Sequence, residues 1–144
     1  MRFSPRTLKR AVREAARHFP AVVLTGPRRA GKTTLLRRLF PQARYVLLED
    51  PDVRARARAD PRALLAELPP QVLFEEIQNA PELLAYVRTR IDQQPRRMGQ
   101  WLFTGSQEAP LMRGVSESMA GRWCQAYIAM LSGTPGQCGH SWSQ

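Results

Sequence analysis

The segment from Gly26 to Thr33 constrains this chain more than any other, because it fits the pattern G-x-x-x-x-G-K-[ST]. The apolar residues 21–25 before it predict a short buried strand, and the leucine spacing after it predicts a helix over residues 33–40. In such a strand–loop–helix unit, the backbone N–H groups at the helix N-terminus favour a bound anion. The segment therefore predicts a phosphate-binding loop, the Walker A motif of P-loop nucleoside triphosphatases.

The residue types in this loop indicate how a nucleotide would be bound. The glycines allow the backbone to wrap around a phosphate group without a Cβ in the way. The ammonium of Lys32 would reach the β- and γ-phosphates, and the hydroxyl of Thr33 would bind Mg²⁺. The residues expected to contact the nucleotide are Gly26, Pro27, Arg28, Arg29, Ala30, Gly31, Lys32, Thr33 and Thr34.

The composition is that of a folded, basic protein. With 144 residues, 43% of them hydrophobic, the chain is long enough for one domain with a real core. No apolar run approaches the roughly 20 residues of a membrane span, and the basic N-terminus lacks the apolar stretch of a signal peptide. We therefore expect a cytoplasmic protein without a membrane partner. The net charge of +10 fits contact with nucleic acid, contact with an acidic protein or a solvated surface.

Apolar runs and helical patterns alternate along the first 130 residues. Besides the strand before the loop, strands are expected over residues 44–48, 71–76, 101–104 and 122–130. Helices are expected over residues 4–19, 52–59 and 60–68, and a further helix is expected with Asn79 as its N-cap. This alternation predicts an α/β protein of the P-loop NTPase class. Its mainly parallel sheet of about five strands would have helices on both faces, in three α/β/α layers.

Two pairs of carboxylates follow predicted strands. Glu75 and Glu76 close the third strand, at an end where a parallel strand would meet a metal–phosphate site; a surface turn is the alternative. Glu49 and Asp50 follow the second strand and fit either the nucleotide site or the N-cap of the next helix. A triphosphatase needs one carboxylate near Mg²⁺ and a group that activates water, and the first pair can supply both.

The last third of the chain supplies further candidates. Thr104 and Ser106 lie at the end of the fourth strand, where they would sense the γ-phosphate or simply end the strand. Arg113 and Arg122 are candidates for an arginine that stabilises transition-state charge, although from residue chemistry alone an ordinary surface role fits Arg122 as well.

Several segments, in order along the chain, resemble prokaryotic ATP-binding proteins of the AAA+ superfamily that usually carry a C-terminal domain of unknown function. The segments are GPRRAGKTTLL at 26–36, LEDPD at 48–52, EIQ at 76–78, LFTGS at 102–106 and SESMAGR at 116–122. The similarity covers roughly residues 5–125. It implies binding of ATP and hydrolysis of the nucleotide with Mg²⁺.

The resemblance also implies roles for individual residues. Lys32 and Thr33 would contact phosphate and metal, and Glu76 would activate the attacking water. Ser106 would act as a sensor and Arg122 as an arginine finger. The resemblance names no pathway, and it leaves a protein partner, a nucleic-acid partner and a homo-oligomer equally open.

The chain departs from this family in two places. The family has Asp-Glu-Ile-Gln where this chain has Glu75 first, and the extra methylene must fold back or displace the Mg²⁺-bound water. Such a displacement lowers turnover more than binding. Second, the family continues beyond Arg122 with a strand, a helical lid and a second domain. Residues 131–144 instead have no period and many turn formers. We therefore expect a truncated product, with an ATPase core over 1–130 and a disordered or aberrant tail over 131–144.

Four functions are compatible with this sequence. The first is a Mg²⁺-dependent ATPase of the AAA+ type, with hydrolysis either retained or impaired. The second is a nucleotide-dependent switch that contacts nucleic acid or protein without efficient hydrolysis. The third is a truncated remnant without activity. The fourth, a small-molecule kinase with the same loop, is disfavoured because no segment resembles an acceptor-binding lid.

Overall fold

In the computed structural model, the described residues are 5–26 and 31–105, together with the backbone of residues 123–127 and 137–138. The α-helices of this part are α1 (Pro5–His18), α2 (Lys32–Leu39), α3 (Pro51–Ala59), α4 (Pro61–Ala66) and α5 (Leu83–Gln93). The strands are β1 (Ala21–Thr25), β2 (Arg44–Leu47), β3 (Val72–Glu75), β4 (Trp101–Gly105), β5 (Trp123–Tyr127) and β6 (Gln137–Cys138). A 3₁₀ turn at Ile77–Asn79 separates β3 from α5. Among the described helices, none has the length and apolar character needed to cross a membrane.

The strands form one sheet in the order β2-β3-β4-β1-β5-β6. Strands β1 to β5 are parallel to one another, and β6 pairs antiparallel with β5. Consecutive strands β1 and β2 are separated by β3 and β4, so the chain crosses over the sheet and leaves a crevice at the carboxyl ends of the strands. The segment that carries the Walker A pattern follows β1 at this edge. The predicted α/β fold is confirmed.

The core consists of two apolar layers, one on each face of the sheet. Alternation along β1 sends Val22 and Leu24 to one face and Ala21 and Val23 to the other, as expected for a strand buried on both sides. Helices α1 and α2 cover the first face, and α3, α4 and α5 cover the second. Phe74 stacks between two aromatic rings of β4, with ring centroids 6.2 and 5.6 Å away. This is the three-layer arrangement that the sequence predicts.

Several boundaries differ from those that the sequence predicts. Helix α4 ends at Ala66, before the two prolines, and β3 ends one residue earlier than predicted. Helix α5 begins at Leu83 rather than directly after Asn79, because a 3₁₀ turn occupies the intervening residues. Within the predicted tail, Gln137 and Cys138 form β6 beside β5. The domain division at residue 130 stays a prediction.

Gly99 lies two residues before β4 and packs closely against the end of α1. Its φ of 67° lies in the left-handed region, and a Cβ there would come within 2.7 Å of the carbonyl oxygen of Ala16. Its N–H donates to the carbonyl of Phe19 at 2.9 Å. Both the conformation and the close approach of two backbones require glycine at this position.

We expect Gly99→Ala to lower the free energy of unfolding by about 2 kcal/mol, because left-handed strain adds to overlap with a backbone oxygen. Urea denaturation followed by circular dichroism measures the change. The matched control is Arg97→Ala two positions away, which has an exposed side chain and should leave the midpoint nearly unchanged. Equal midpoints for Gly99→Ala and the unaltered chain would contradict the role given to Gly99.

Candidate functional site

A cavity of about 550 Å³ lies where α2 begins and β2 and β3 end. The residues that line it are Gly31, Lys32, Thr33, Thr34, Glu49, Glu75 and Glu76. Four of these, Gly31 to Thr34, are residues that the sequence predicts to bind nucleotide, and the two adjacent glutamates are the predicted metal-side and catalytic carboxylates. Gly26 follows β1 directly. Four predicted nucleotide-binding residues, the predicted sensor and the predicted arginine finger lie outside the described residues: Pro27, Arg28, Arg29, Ala30, Ser106 and Arg122.

Gly31 sets the entry into α2. Its φ of 86° is in the left-handed region, and its carbonyl accepts the N–H of Leu35 at 2.9 Å, which makes it the first helical acceptor. Any residue with a side chain would cost about 1–2 kcal/mol in this conformation. The first N–H groups of α2 have no partner within the helix and carry the positive end of its dipole. The start of α2 is therefore suited to an anion.

Lys32 is buried at the centre of the site, with 5% of its surface exposed. Its ammonium donates to the carbonyl of Gly26 at 2.8 Å and to that of Gly105 at 3.2 Å. It also lies 3.8 Å from the Oε1 atom of Glu76. An ammonium has three donors, so these contacts direct its positive charge to the space between β1, β4 and the acidic end of β3.

Thr33 and Glu75, the predicted metal pair, are in direct contact. The Thr33 hydroxyl donates to Oε1 of Glu75, and the Tyr45 hydroxyl donates to Oε2 of the same carboxylate. Burial and the bond to Glu75 raise the pKa of Tyr45 well above its usual range, so the phenol stays protonated and donates at neutral pH. Sequence reasoning missed Tyr45. The only indication that Tyr45 contacts Glu75 is the sheet register, in which Tyr45 lies beside Leu73 and diagonal to Glu75.

The donor set at this point suits a hard cation. Hydroxyl and carboxylate oxygens are the ligands that Mg²⁺ prefers, and it commonly keeps several waters and binds through few protein groups. Within residues 5–26 and 31–105 there is no group of three or more His, Cys, Asp or Glu side chains that could hold a metal ion. Thr33 and Glu75 could therefore hold a magnesium ion jointly with a phosphate group. They do not form a site in which protein side chains alone would surround the ion.

Glu76 leaves the strand in a left-handed conformation, with φ 62° and ψ 58°. This conformation costs a residue with a side chain about 1–2 kcal/mol. Two neighbours hold it: the Glu76 N–H donates to the Thr104 hydroxyl at 3.0 Å, and the Asn79 side-chain amide donates to the Glu76 carbonyl at 3.0 Å. The prediction that Asn79 caps α5 is wrong, because Glu82 occupies the N-cap. Asn79 instead closes the turn that presents Glu76.

The Glu76 carboxylate faces two different groups. Its Oε1 atom faces the ammonium of Lys32, and its Oε2 atom accepts a hydrogen bond from the side-chain amide of Gln78. Glu76 is 8% exposed, so both contacts are made largely away from bulk water. A carboxylate buried to this extent needs a cation or a hydrogen-bond donor beside it, and Glu76 has both.

The carboxylates after β2 divide between the two roles that the sequence left open. Asp50 caps α3, since its side chain accepts the N–H of Asp52 at 2.9 Å. Glu49 lines the cavity. Its position adds a third acidic side chain to the region around Glu75 and Glu76.

Comparisons with known proteins match this chain to one family and to two relatives. The family model of an AAA domain, AAA_14, matches residues 18–134. Uncharacterized protein Rv2008c of Mycobacterium tuberculosis and uncharacterized protein Mb2031c of Mycobacterium bovis are each 37% identical to the chain over 112 residues. The aligned region covers 77% of this chain and 25% of each relative. The chain thus spans about a quarter of the length of the curated relatives that it matches.

We expect Thr104→Val to lower the free energy of unfolding by about 1–3 kcal/mol, because it leaves the buried N–H of Glu76 without an acceptor. Thermal denaturation measures the loss. The matched control is Thr89→Val on α5, where the hydroxyl bonds to the Ala85 carbonyl at an exposed position and water can replace it. If both variants melt at the same temperature as the unaltered chain, Thr104 does not hold the turn.

Proposed function

Because the chain belongs to an AAA-type P-loop ATPase family, we propose that it binds ATP with Mg²⁺ and hydrolyses it to ADP and phosphate. Membership supports a nucleotide-binding, ATPase-like function in general. The observation that supports the specific proposal is the convergence of Lys32, Thr33, Glu75 and Glu76 on one cavity. Those four side chains supply a cation for phosphate, a hydroxyl and a carboxylate for metal, and a second carboxylate for water.

The triphosphate would bind at the start of α2. Backbone N–H groups at the helix N-terminus and the ammonium of Lys32 offer donors to the phosphate oxygens. The carbonyl partners of Lys32, directly after β1 and at the end of β4, hold the ammonium at this place before nucleotide arrives. By the family resemblance, residues 27–30 would surround the β-phosphate and Thr34 would contact the nucleotide beside Thr33.

Thr33 and Glu75 are the residues that would hold Mg²⁺, which when bound neutralises charge that develops on the phosphate oxygens. The Thr33 hydroxyl is already aligned with the Glu75 carboxylate. Tyr45 holds the other oxygen of that carboxylate. Both oxygens of Glu75 are therefore directed by neighbours on different elements.

Glu76 is the general base of the proposed reaction. Its Oε1 atom lies 3.8 Å from the Lys32 ammonium, which would bind the γ-phosphate, so the base lies beside the reacting group. Glu76 takes a proton from water as the water oxygen bonds to the γ-phosphorus and the bond to the β–γ bridging oxygen breaks. Ser106 as a sensor and Arg122 as an arginine finger complete the proposal on the strength of the resemblance alone.

A second candidate function is a nucleotide-dependent switch that hydrolyses ATP inefficiently and contacts nucleic acid or an acidic protein. Two observations favour it: the metal-side position holds Glu75, which is a methylene longer than aspartate, and Glu76 is engaged by Lys32 and Gln78. The arginines of α1, with exposed side chains, offer a basic surface for such a partner or for a second copy of the chain: Arg6, Arg10, Arg13 and Arg17. The cytoplasmic location stays a prediction.

We expect Lys32→Ala to weaken binding of a fluorescent ATP analogue at least about tenfold, because a charge-assisted contact to phosphate is lost. Lys9→Ala is the matched control, since Lys9 is the only other lysine of the chain and lies on α1 outside the cavity. Fluorescence anisotropy with Mg²⁺ present measures both affinities. Equal affinities for the two variants would remove the basis for a phosphate site at α2.

We expect Glu76→Gln to reduce steady-state phosphate release about 10²- to 10⁴-fold, the range for loss of a general base, while nucleotide affinity is retained. Glu82→Gln serves as the control, because Glu82 contacts only Arg58 among its charged neighbours in the described part of the chain and lies outside the cavity. Unchanged release from Glu76→Gln would remove Glu76 from the reaction.

The unaltered chain separates the two candidate functions in the same assays. We expect it to bind Mg-ATP and to release phosphate at a measurable rate. Binding without release, with release appearing in Glu75→Asp, would instead support the switch. A thermal melt that does not respond to Mg-ATP would contradict both functions.

A further inference from the structure

Tyr45 belongs to a network that joins three elements around the metal-side carboxylate. Helix α2 contributes the Thr33 hydroxyl to one oxygen of Glu75, and β2 contributes the Tyr45 hydroxyl to the other. One helical turn after Thr33, the guanidinium of Arg37 lies over the Tyr45 ring, 4.9 Å from its centroid. The ring is thus held on one side by α2 while its hydroxyl reaches Glu75. Tyr45 is half-buried, so this position is partly shielded from water.

The length of the Glu75 side chain makes such a restraint useful. A glutamate has one more rotatable bond than an aspartate, so its carboxylate samples more positions for the same backbone. Thr33 alone bonds to one oxygen and leaves the carboxylate free to turn about that contact. A second donor on another element removes this freedom, because the two oxygens must then meet two points fixed by α2 and β2. Groups that orient a ligating carboxylate in this way commonly contribute strongly to metal affinity.

We propose that Tyr45 is a positioning residue that fixes the Glu75 carboxylate for Mg²⁺ and so takes over the restraint that a shorter aspartate would supply by itself. The inference rests on the proposed function, since it concerns the metal of the same nucleotide site. It assigns Tyr45 no contact with the reacting atoms. The phenol acts through one carboxylate oxygen and leaves the other for Thr33 and the metal.

Tyr86 provides a matched control inside the same chain. It is also a half-buried tyrosine with an arginine over its ring, because the guanidinium of Arg62 lies 5.7 Å from the ring centroid. Tyr86 lies on α5, on the face of the sheet opposite α2, and does not line the nucleotide cavity. Removal of its hydroxyl tests what the loss of a phenol does to the protein without a change at Glu75.

The test is a Mg²⁺ titration of the binding of a fluorescent ATP analogue to the full chain, with EDTA as the starting point. We expect Tyr45→Phe to raise the Mg²⁺ concentration at half-maximal binding about 10- to 100-fold. Affinity for the nucleotide in EDTA should equal that of the unaltered chain, which also shows that the variant is folded. Tyr86→Phe should leave the Mg²⁺ midpoint in place.

The same Tyr45→Phe comparison in a Glu75→Asp chain shows whether the shift in the Mg²⁺ midpoint depends on the Glu75 carboxylate. We expect the shorter carboxylate to lose its contact with Tyr45, so Tyr45→Phe should shift the Mg²⁺ midpoint by no more than about twofold there. A full shift in that background would overturn the proposal, because Tyr45 would then act by another route. An unchanged midpoint for Tyr45→Phe in the Glu75 chain would overturn it as well.

The unaltered chain distinguishes failure of this proposal from failure of the proposed function. If its nucleotide binding does not depend on Mg²⁺, the proposed function is wrong and the role of Tyr45 falls with it. If its binding does depend on Mg²⁺ but Tyr45→Phe has the same Mg²⁺ midpoint as the unaltered chain, the proposed function stands and the role of Tyr45 alone is wrong.

Discussion

The buried ammonium of Lys32 is the interaction on which the functional edge of the sheet depends. A charge that is 5% exposed is costly unless it is hydrogen-bonded and paired. Its two carbonyl acceptors follow β1 and end β4, and the pairing of Thr25 with Gly105 keeps these strand ends level. One side chain therefore ties α2 to two neighbouring strands. The same tie sets how far Thr33, the next residue of α2, lies from the two carboxylates at the end of β3.

Glu75 and Glu76 are chemically identical neighbours, yet the backbone gives them different partners. Glu75 is the last residue of β3 and shares a face with Leu73, so its carboxylate reaches α2 and Tyr45. After it the chain turns through a left-handed residue, and the Glu76 carboxylate reaches Lys32 and Gln78 instead. The strain of that turn, about 1–2 kcal/mol, is offset by the hydrogen bond that the Glu76 N–H donates to Thr104 and by the one that the Glu76 carbonyl accepts from Asn79. One strained residue is therefore what gives these two adjacent carboxylates different partners.

Local patterns were sufficient to predict most of the fold. Apolar runs, the leucine spacing and Asp–Pro pairs depend on near neighbours, so strands β1 to β5, α2 and the start of α4 at Pro61 were predicted within a few residues. Strand β6 was not predicted, because its two residues have no apolar run of their own. Asn79 was misassigned because amides suit caps and turns alike, and the choice depends on where the Glu76 carbonyl lies. Tyr45 was missed because its contact with Glu75 exists only once β2 and β3 are in register. Such contacts between distant segments leave no local signal.

The register of β2 and β3 also bears on position 75, where this chain has glutamate and the resembling family has aspartate. From the sequence, a glutamate in place of aspartate indicates only a carboxylate displaced by one methylene. In the folded chain the added length carries the carboxylate to a point between α2 and β2, where the two hydroxyls can each take one oxygen. An aspartate at the same backbone position is one methylene shorter, so we expect it to lose one of the two contacts. Glu75 and Tyr45 therefore form one unit, in which the longer acid is matched by a hydrogen-bond donor on the neighbouring strand.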